Sequence, residues 1–199
     1  EFSSTPSNRV SLMSEWESKI EKLANSTIKE NVTSISGVPT WTLVLFKRIL
    51  EITGKKTMSE VWPGLELYMH GGVSFTPYKE QFQKLIGKKI NYIEMYNASE
   101  GFFAAQENPG DDGMLLFTDH GIFMEFMPVS EYGKKHPQTI SLQDVEIGKN
   151  YALIISTNGG LWRYLVGDTI QFTSIKPFRV KVSGRLKHYI NAFGEEVIV

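Results

Sequence analysis

The fold is indicated by residues 65–95, LELYMHGGVSFTPYKEQFQKLIGKKINYIEM. Leu65 to Met69 has the composition of a strand, and the two glycines after His70 allow a tight turn. Thr76-Pro77 provides a helix start, and Ile90 to Met95 follows as a second strand. A strand, a helix and a strand with short joints predict an α/β crossover unit with parallel strands.

The flanking sequence extends this unit on one side and changes character on the other. Ser14-Glu15-Trp16-Glu17 has the form of a capping box and predicts the start of a helix, and residues 41–52 carry the apolar stripe of a second helix, which Gly54 ends. After Glu100, short β-like runs alternate with Gly, Asn, Asp and Pro. This part of the chain is therefore predicted to be mostly β.

Composition excludes several classes of function. The 199 residues carry 21 Lys and Arg against 22 Asp and Glu, so the net charge of −1 predicts neither a nucleic-acid nor a membrane partner. The absence of cysteine excludes disulfides, thiolate zinc sites and cysteine nucleophiles. Without a long apolar stretch or the apolar core of a signal peptide, the chain is expected to be cytoplasmic.

Two predicted loops beyond the strands of the crossover unit carry candidate binding residues. Gly71, Gly72 and Val73 allow a flat ligand to approach the backbone, although a plain strand-to-helix turn would also explain them. Tyr96-Asn97-Ala98-Ser99-Glu100-Gly101 follows the next strand. Ligands of open α/β sheets bind beyond the carboxyl ends of the strands, so the two loops are expected to face one crevice.

The second loop has side chains that suit a nucleotide. Glu100 is a candidate Mg²⁺ ligand beside nucleotide phosphates, and Tyr96 is a candidate contact for a planar base. A helix cap at Ser99 and an ion-paired surface glutamate at Glu100 are the alternatives.

Two later positions add candidate groups for a nucleotide. The run from Trp162 to Asp168 ends in Gly-Asp, where the two acceptor oxygens of Asp168 suit a pair of ribose hydroxyls. A hairpin turn at Gly167-Asp168 is the alternative. Arg185 offers a permanent positive charge to ribose or phosphate, and an ordinary exposed basic residue is the alternative there.

Together these motifs resemble those of the auxin-responsive promoter family of acyl acid amido synthetases, in the adenylate-forming superfamily, and they are most similar to its bacterial branch. The resemblance runs from Ser36-Gly37-Val38-Pro39 to Phe193-Gly194-Glu195-Glu196. Trp162 stands where the family often has Tyr. The resemblance implies nucleotide-binding roles as follows: adenine packing for Gly71, Gly72 and Val73, nucleotide and Mg²⁺ contacts for Tyr96, Ser99 and Glu100, ribose binding for Asp168, and a ribose or α-phosphate contact for Arg185.

The same resemblance implies the architecture. It places Val38 and Trp41 beside an acyl pocket and Lys187 at an interdomain hinge. Residues 1–183 would belong to the large α/β domain, with a parallel-stranded portion (about 30–105) and a β-rich, partly barrel-like portion (about 106–183). Residues 184–199 would form the hinge and the start of a small C-terminal domain.

The implied chemistry is ATP- and Mg²⁺-dependent adenylation of an acyl acid, followed by transfer to an amino acid amine. The family's phosphate loop is expected upstream of this segment and the small domain beyond Val199, so the chain is expected to be a fragment with little or no turnover. Two alternatives stay open: a non-catalytic nucleotide-binding or interaction module of the same fold, and an acyl-thioester ligase.

Overall fold

A computed structural model describes residues 4–186, together with the backbone of residues 189–192 and 195–198. The chain divides into two compact units, Glu1–Tyr92 and Ile93–Val199. A large hydrophobic core lies in each unit. Within the described ranges, no helix has the length and apolar character needed to cross a membrane.

The first unit combines helices with a short parallel sheet. Strands β1 and β2 pair in parallel, with Ser34 opposite Leu67. Its core contains Phe46, Trp62 and Phe82, which are almost completely buried. The elements are α1 (Asn8–Ser11), α2 (Trp16–Thr27), β1 (Ser34–Ser36), α3 (Pro39–Thr53), α4 (Met58–Val61), β2 (Leu67–His70) and α5 (Lys79–Ile86), with a 3₁₀ turn at Thr76–Tyr78.

The starts of α2 and α3 follow from their first residues. Pro39 occupies the first turn of α3, where its missing N–H costs no hydrogen bond, and Gly54 ends the helix as predicted. The capping box predicted at Ser14 is wrong in detail. Glu15 caps α2 instead, because its carboxylate accepts hydrogen bonds from the backbone N–H groups of Glu17 (3.1 Å) and Ser18 (2.7 Å).

A parallel α/β crossover joins β1 and β2 through α3 and α4, one strand earlier in the chain than the crossover predicted for residues 65–95. The strand after α5, β3 (Asn91–Ala98), begins with the last two residues of the first unit. The backbone N–H of Asn91 donates to the carbonyl of Glu66 at 2.9 Å. The starts of β2 and β3 therefore lie side by side, as the starts of parallel strands do.

The second unit is an antiparallel sheet in which the strands follow the order β3-β4-β5-β9-β8-β7-β6. A separate antiparallel pair, β10 and β11, follows near the end of the chain. The strands are β4 (Gly101–Ala105), β5 (Met114–Leu116), β6 (Ile122–Pro128), β7 (Asn150–Thr157), β8 (Tyr164–Ile175), β9 (Phe178–Arg185), β10 (Tyr189–Ala192) and β11 (Glu195–Ile198).

Two details of the predicted strands require correction. The parallel portion was expected to extend to residue 105, but β4 runs antiparallel to β3 through a tight hairpin at Ser99-Glu100. The Gly-Asp pair at 167–168 was expected to end a strand or form a turn, but it lies inside a single strand of 12 residues, β8, which begins at Tyr164. Both errors arise because turn-forming residues also occur in hairpins and bulges, which a linear pattern does not distinguish from strand ends.

The sheet of the second unit curls, which agrees with the barrel-like expectation. One buried core contains Phe103 of β4 together with Phe126 of β6, although these strands are not neighbours in the sheet. A Cβ atom added at Gly101 of β4 would lie 2.8 Å from Cδ1 of Ile122 on β6. The close approach of these two strands shows that the sheet bends back toward its own far edge.

Candidate functional site

The predicted site residues fall into two groups, one in each unit. The group in the first unit lies at the carboxyl ends of β1 and β2. The N–H of Gly37 donates to the carbonyl of Met69 at 3.1 Å, which ties the two strand ends together. A Cβ atom added at Gly72 would lie 3.5 Å from Cγ2 of Val38. The structure therefore brings Val38 against the Gly71-Gly72-Val73 turn, as expected for the carboxyl edge of a parallel sheet.

His70, the last residue of β2, is buried with only 4% of its surface exposed. Its ring stacks on Phe75, with a centroid distance of 4.2 Å. Within the described part of the chain, Nδ1 has no hydrogen-bond partner. Burial lowers the pKa of His70 to about 4, so its imidazole is neutral at physiological pH.

Trp41 lies on α3, where its ring meets that of Trp16 on α2 at a centroid distance of 4.2 Å. Both rings are partly exposed. This contact gives Trp41 a packing role between the two helices. Its contact with an acyl group stays a prediction.

In the second unit, Asp168 holds together residues from three strands. The carboxylate of Asp168 is 7% exposed and accepts a hydrogen bond from the Tyr96 hydroxyl at 3.0 Å, through Oδ2. Its Oδ1 lies 3.0 Å from Nε of Arg185. Asp168 and Arg185 are directly opposite each other in the pairing of β8 with β9. The structure thus assembles three predicted site residues, Tyr96, Asp168 and Arg185, into one cluster.

Tyr96 is more deeply buried than expected for a residue that contacts a nucleotide base. Its ring packs against Phe103 at a centroid distance of 4.9 Å, and only 5% of the residue is exposed. Burial, with the nearby charge of Asp168, raises the pKa of the Tyr96 phenol well above its usual range. The hydroxyl therefore stays protonated and serves as a permanent donor to Asp168.

A bulge in β8 presents Asp168 to this cluster. Ala152 of β7 pairs with Thr169 and Ile154 pairs with Leu165, so residues 166–168 lie opposite the single residue Leu153. Gly167 adopts a φ of +94°, which glycine tolerates far better than other residues. Its carbonyl accepts a hydrogen bond from the N–H of Leu186 at 2.9 Å. The Gly-Asp pair is therefore neither a strand end nor the hairpin turn considered as the alternative.

Ser99 and Glu100 form the two-residue connection of the β3–β4 hairpin. A helix cap at Ser99, considered above as an alternative, is wrong because no helix begins at this hairpin. The side chain of Glu100 is half-buried, and its Oε1 accepts a hydrogen bond from the Tyr164 hydroxyl at 3.1 Å. Tyr164 is the first residue of β8. The motif that ends in Asp168 therefore also contacts the motif that contains Glu100.

Sequence reasoning overlooked Tyr164 and the residues that support it. Arg163 forms a two-pronged ion pair with Glu125, with both nitrogen–oxygen distances at 2.9 Å. The Thr139 hydroxyl lies 3.2 Å from Nη2 of the same guanidinium. The available signal was the spacing: a tyrosine stands four residues before the acidic residue in both motifs, Tyr96 before Glu100 and Tyr164 before Asp168.

The carboxylates near the hairpin could hold Mg²⁺ only together with oxygen ligands from a substrate. Among the residues that the structure describes, no three His, Asp or Glu side chains lie close enough together to hold a metal ion. Mg²⁺ in nucleotide sites is usually held by one or two carboxylates together with phosphate oxygens and water. The single carboxylate of Glu100 at the hairpin fits that arrangement. Lys187, predicted at the hinge, lies outside the described residues.

Comparison with known proteins gives consistent matches for both units. The profile of the GH3 family N-terminal domain matches residues 1–90, and the profile of the GH3 family central domain matches residues 115–185. The indole-3-acetic acid-amido synthetase GH3.3 of Arabidopsis thaliana is 27% identical over 164 residues, which are 76% of this chain and 27% of that protein. The chain thus spans about a quarter of the length of that curated relative.

Solved structures show the same fold. GH3.15 acyl acid amido synthetase matches with a TM-score of 0.70 and 16% identity, over 95% of this chain and 43% of that one. A 2-hydroxyisobutyryl-CoA ligase in complex with 2-HIB-AMP and CoA matches with a TM-score of 0.64 and 16% identity, over 92% of this chain and 39% of that one. The fold is therefore that of the N-terminal domain of adenylate-forming enzymes. With two profiles of one family matched in sequence order, the resemblance predicted from the motifs is confirmed: the chain belongs to the GH3 family.

Proposed function

We propose that the chain provides the nucleotide-binding part of an ATP-dependent acyl acid amido synthetase. The observation that carries this proposal is the direct contact between the two acidic motifs. Tyr96 bonds to Asp168 across 72 residues of sequence, and Tyr164 bonds to Glu100 across 64. A fold that holds two separate carboxylates in fixed positions beside an arginine suits recognition of a ribose and a charged phosphate chain.

In this proposal Asp168 accepts hydrogen bonds from the ribose hydroxyls. Tyr96 and Arg185 each engage one oxygen of Asp168, so the carboxylate is held in a defined orientation as the proposed acceptor for the ribose hydroxyls. Arg185 is partly exposed and permanently charged, and its positive charge is proposed to face the ribose or the α-phosphate. Gly71, Gly72 and Val73 are proposed as adenine contacts on the basis of the motif match, and Ser99 as a further nucleotide contact.

Glu100 is proposed as the protein ligand of Mg²⁺. When bound, the cation neutralises charge on the phosphates of ATP. The role of the protein is to hold the Glu100 carboxylate at the hairpin, where Tyr164 engages one of its oxygens. No second acidic side chain is required there, because the triphosphate supplies further oxygen ligands.

The proposed reaction has two steps in the whole protein. An acyl acid carboxylate attacks the α-phosphorus of ATP, which gives an acyl-adenylate and releases pyrophosphate. An amino acid amine then attacks the acyl carbon, loses a proton and displaces AMP to form an amide. Val38 and Trp41 are proposed to border the acyl group. Residues 1–183 are proposed as part of the large domain, and residues 184–199, including Lys187, as the hinge and the start of a small domain.

Two other functions use the same fold. The likeness to a CoA ligase favours an acyl-thioester ligase as the second candidate. Product analysis with amines and thiols offered side by side separates the amide from the thioester. A non-catalytic nucleotide-binding or interaction module is the third candidate, and it would bind ATP without forming an adenylate.

The test is carboxylate-dependent exchange of pyrophosphate into ATP, measured on the full-length protein with a panel of acyl acids. We expect exchange with at least one acid, and we expect Glu100→Ala to abolish the Mg²⁺-dependent exchange. Glu30→Ala, at an exposed glutamate of the first unit, is the matched control and should retain full exchange. Absence of exchange with every acid would contradict the enzyme proposal, and full activity of Glu100→Ala would refute the role of Glu100.

A further inference from the structure

The two motifs of the second unit are joined by a reciprocal pair of hydrogen bonds. Each tyrosine donates to the carboxylate of the other motif: Tyr96 to Asp168 at 3.0 Å, and Tyr164 to Glu100 at 3.1 Å. The two bonds lie in different environments, because Tyr96 is 5% exposed and Tyr164 is 40% exposed. The buried hydrogen bond holds Asp168, the proposed ribose acceptor, and the exposed hydrogen bond holds Glu100, the proposed metal ligand.

The orientation of Tyr164 is fixed by its neighbour in the chain. Arg163 has a backbone φ of +46°, which is uncommon outside glycine and costs free energy. The paired contacts of its guanidinium with Glu125 on β6 and its contact with Thr139 offset that cost. Its backbone N–H also donates to the Ser156 hydroxyl at 3.0 Å. The chain therefore enters β8 at Tyr164 in a defined conformation.

We propose that Tyr164 is a positioning residue for Glu100: its hydroxyl holds Oε1, so that the other carboxylate oxygen is presented to the divalent cation that accompanies ATP. This inference rests on the proposed function, because the cation is the one bound together with the nucleotide. Residues that hydrogen-bond to a metal ligand orient it, and their loss typically weakens metal binding about 10- to 100-fold.

The physical basis is the freedom of a glutamate side chain at a hairpin. An unrestrained glutamate samples several rotamers, and ordering it on metal binding costs conformational entropy. A hydrogen bond that already exists in the metal-free protein removes part of that cost. The Tyr164 hydroxyl lies 3.1 Å from Oε1 of Glu100, within the usual range for a hydrogen bond.

The experiment compares Tyr164→Phe and Tyr96→Phe, each of which removes a single hydroxyl. Calorimetry measures the affinity of the full-length protein for ATP in excess Mg²⁺ and for AMP in EDTA. We expect Tyr164→Phe to weaken Mg²⁺–ATP binding about 10-fold and to leave AMP binding unchanged. Tyr96→Phe should weaken both, because Asp168 contacts the ribose of either ligand. Tyr132→Phe, an exposed tyrosine elsewhere in the unit, is the control and should change neither.

The possible outcomes separate this inference from the function on which it rests. If the wild-type protein binds neither ATP nor AMP, the proposed function and the positioning role both fail. If the wild-type protein binds both and Tyr164→Phe leaves the Mg²⁺–ATP affinity unchanged, only the positioning role fails. Equal weakening of AMP and Mg²⁺–ATP binding by Tyr164→Phe would also overturn it, since that result indicates a general structural effect.

Discussion

Individual residues in the second unit have roles set by burial more than by residue type. Tyr96 and Tyr164 occupy equivalent places in their motifs, and each donates to a carboxylate. Tyr96 belongs to the hydrophobic core, whereas Tyr164 lies at the surface. A hydrogen bond in the core contributes more to stability, because the unpaired group left by its loss has no access to water.

This difference predicts that the two hydroxyls contribute unequally to folding. Tyr96→Phe should lower the free energy of unfolding by about 1–3 kcal/mol, because Asp168 is buried and would lose a donor. Tyr164→Phe should change it by less than about 0.5 kcal/mol, as is usual for surface positions. Urea unfolding of the two variants checks this. Equal losses would show that Asp168 is better solvated than the structure indicates.

Single strands and turns decide where the carboxylates are presented. β8 is long and bulged, and Asp168 follows the residue with positive φ in that bulge. The strand β3 runs to Ala98, and the hairpin that follows places Glu100 at its tip. Asp168 is therefore presented by a bulge and Glu100 by a hairpin, and neither lies in a regular part of the sheet. Bulges often change the direction in which a functional side chain points.

The bulge can be tested with a pair of glycine substitutions. Gly167→Ala introduces a Cβ atom at a φ of +94° where no heavy atom lies within 4 Å, so its cost is backbone strain of about 1–2 kcal/mol. Gly133→Ala is the matched control, because Gly133 has a φ of +84° and equally open surroundings. Both variants should lose similar stability in urea, but only Gly167→Ala should weaken AMP binding. Equal AMP affinity in the two variants would contradict the role of the bulge.

For the molecule as a whole, the buried His70 makes stability depend on pH. Its pKa in the folded protein is about 4, whereas the ordinary value for an unfolded chain is near 6.5. Between these values the unfolded state binds more protons than the folded state, so unfolding becomes easier as the pH falls. The contribution of neutral His70 is complete above about pH 6.5 and is lost progressively down to about pH 4.

The prediction is a difference between the wild-type protein and His70→Phe, which keeps a ring against Phe75. The free energy of unfolding of the wild type should fall relative to the variant by up to about 3 kcal/mol between pH 6.5 and pH 4. Fluorescence of Trp16, Trp41 and Trp62, all in the first unit, reports the transition. His136→Phe, at an exposed histidine, should show no such difference. Parallel pH profiles for the wild type and His70→Phe would refute the buried neutral state.

Much of the architecture was predictable because it depends on local patterns. The apolar stripe and the glycine stop predicted α3 correctly, and the strand–helix–strand pattern of residues 65–95 predicted β2, α5 and β3. The prediction was wrong at Ser99-Glu100 and at Gly167-Asp168. Turn residues there form a hairpin and a bulge, and the choice between these depends on the neighbouring strand, which a linear pattern does not include.

The sequence by itself determined the family, the class of fold and the two acidic motifs, because residue type and spacing are properties of the linear chain. Only the tertiary structure decided which groups meet. Tyr96 is paired with Asp168 and Tyr164 with Glu100, although each motif contains its own tyrosine and its own carboxylate. The physical reason is strand registry: the curled antiparallel sheet brings β3 and β8 together, and hydrogen bonds form between atoms that are close in space whatever their separation along the chain.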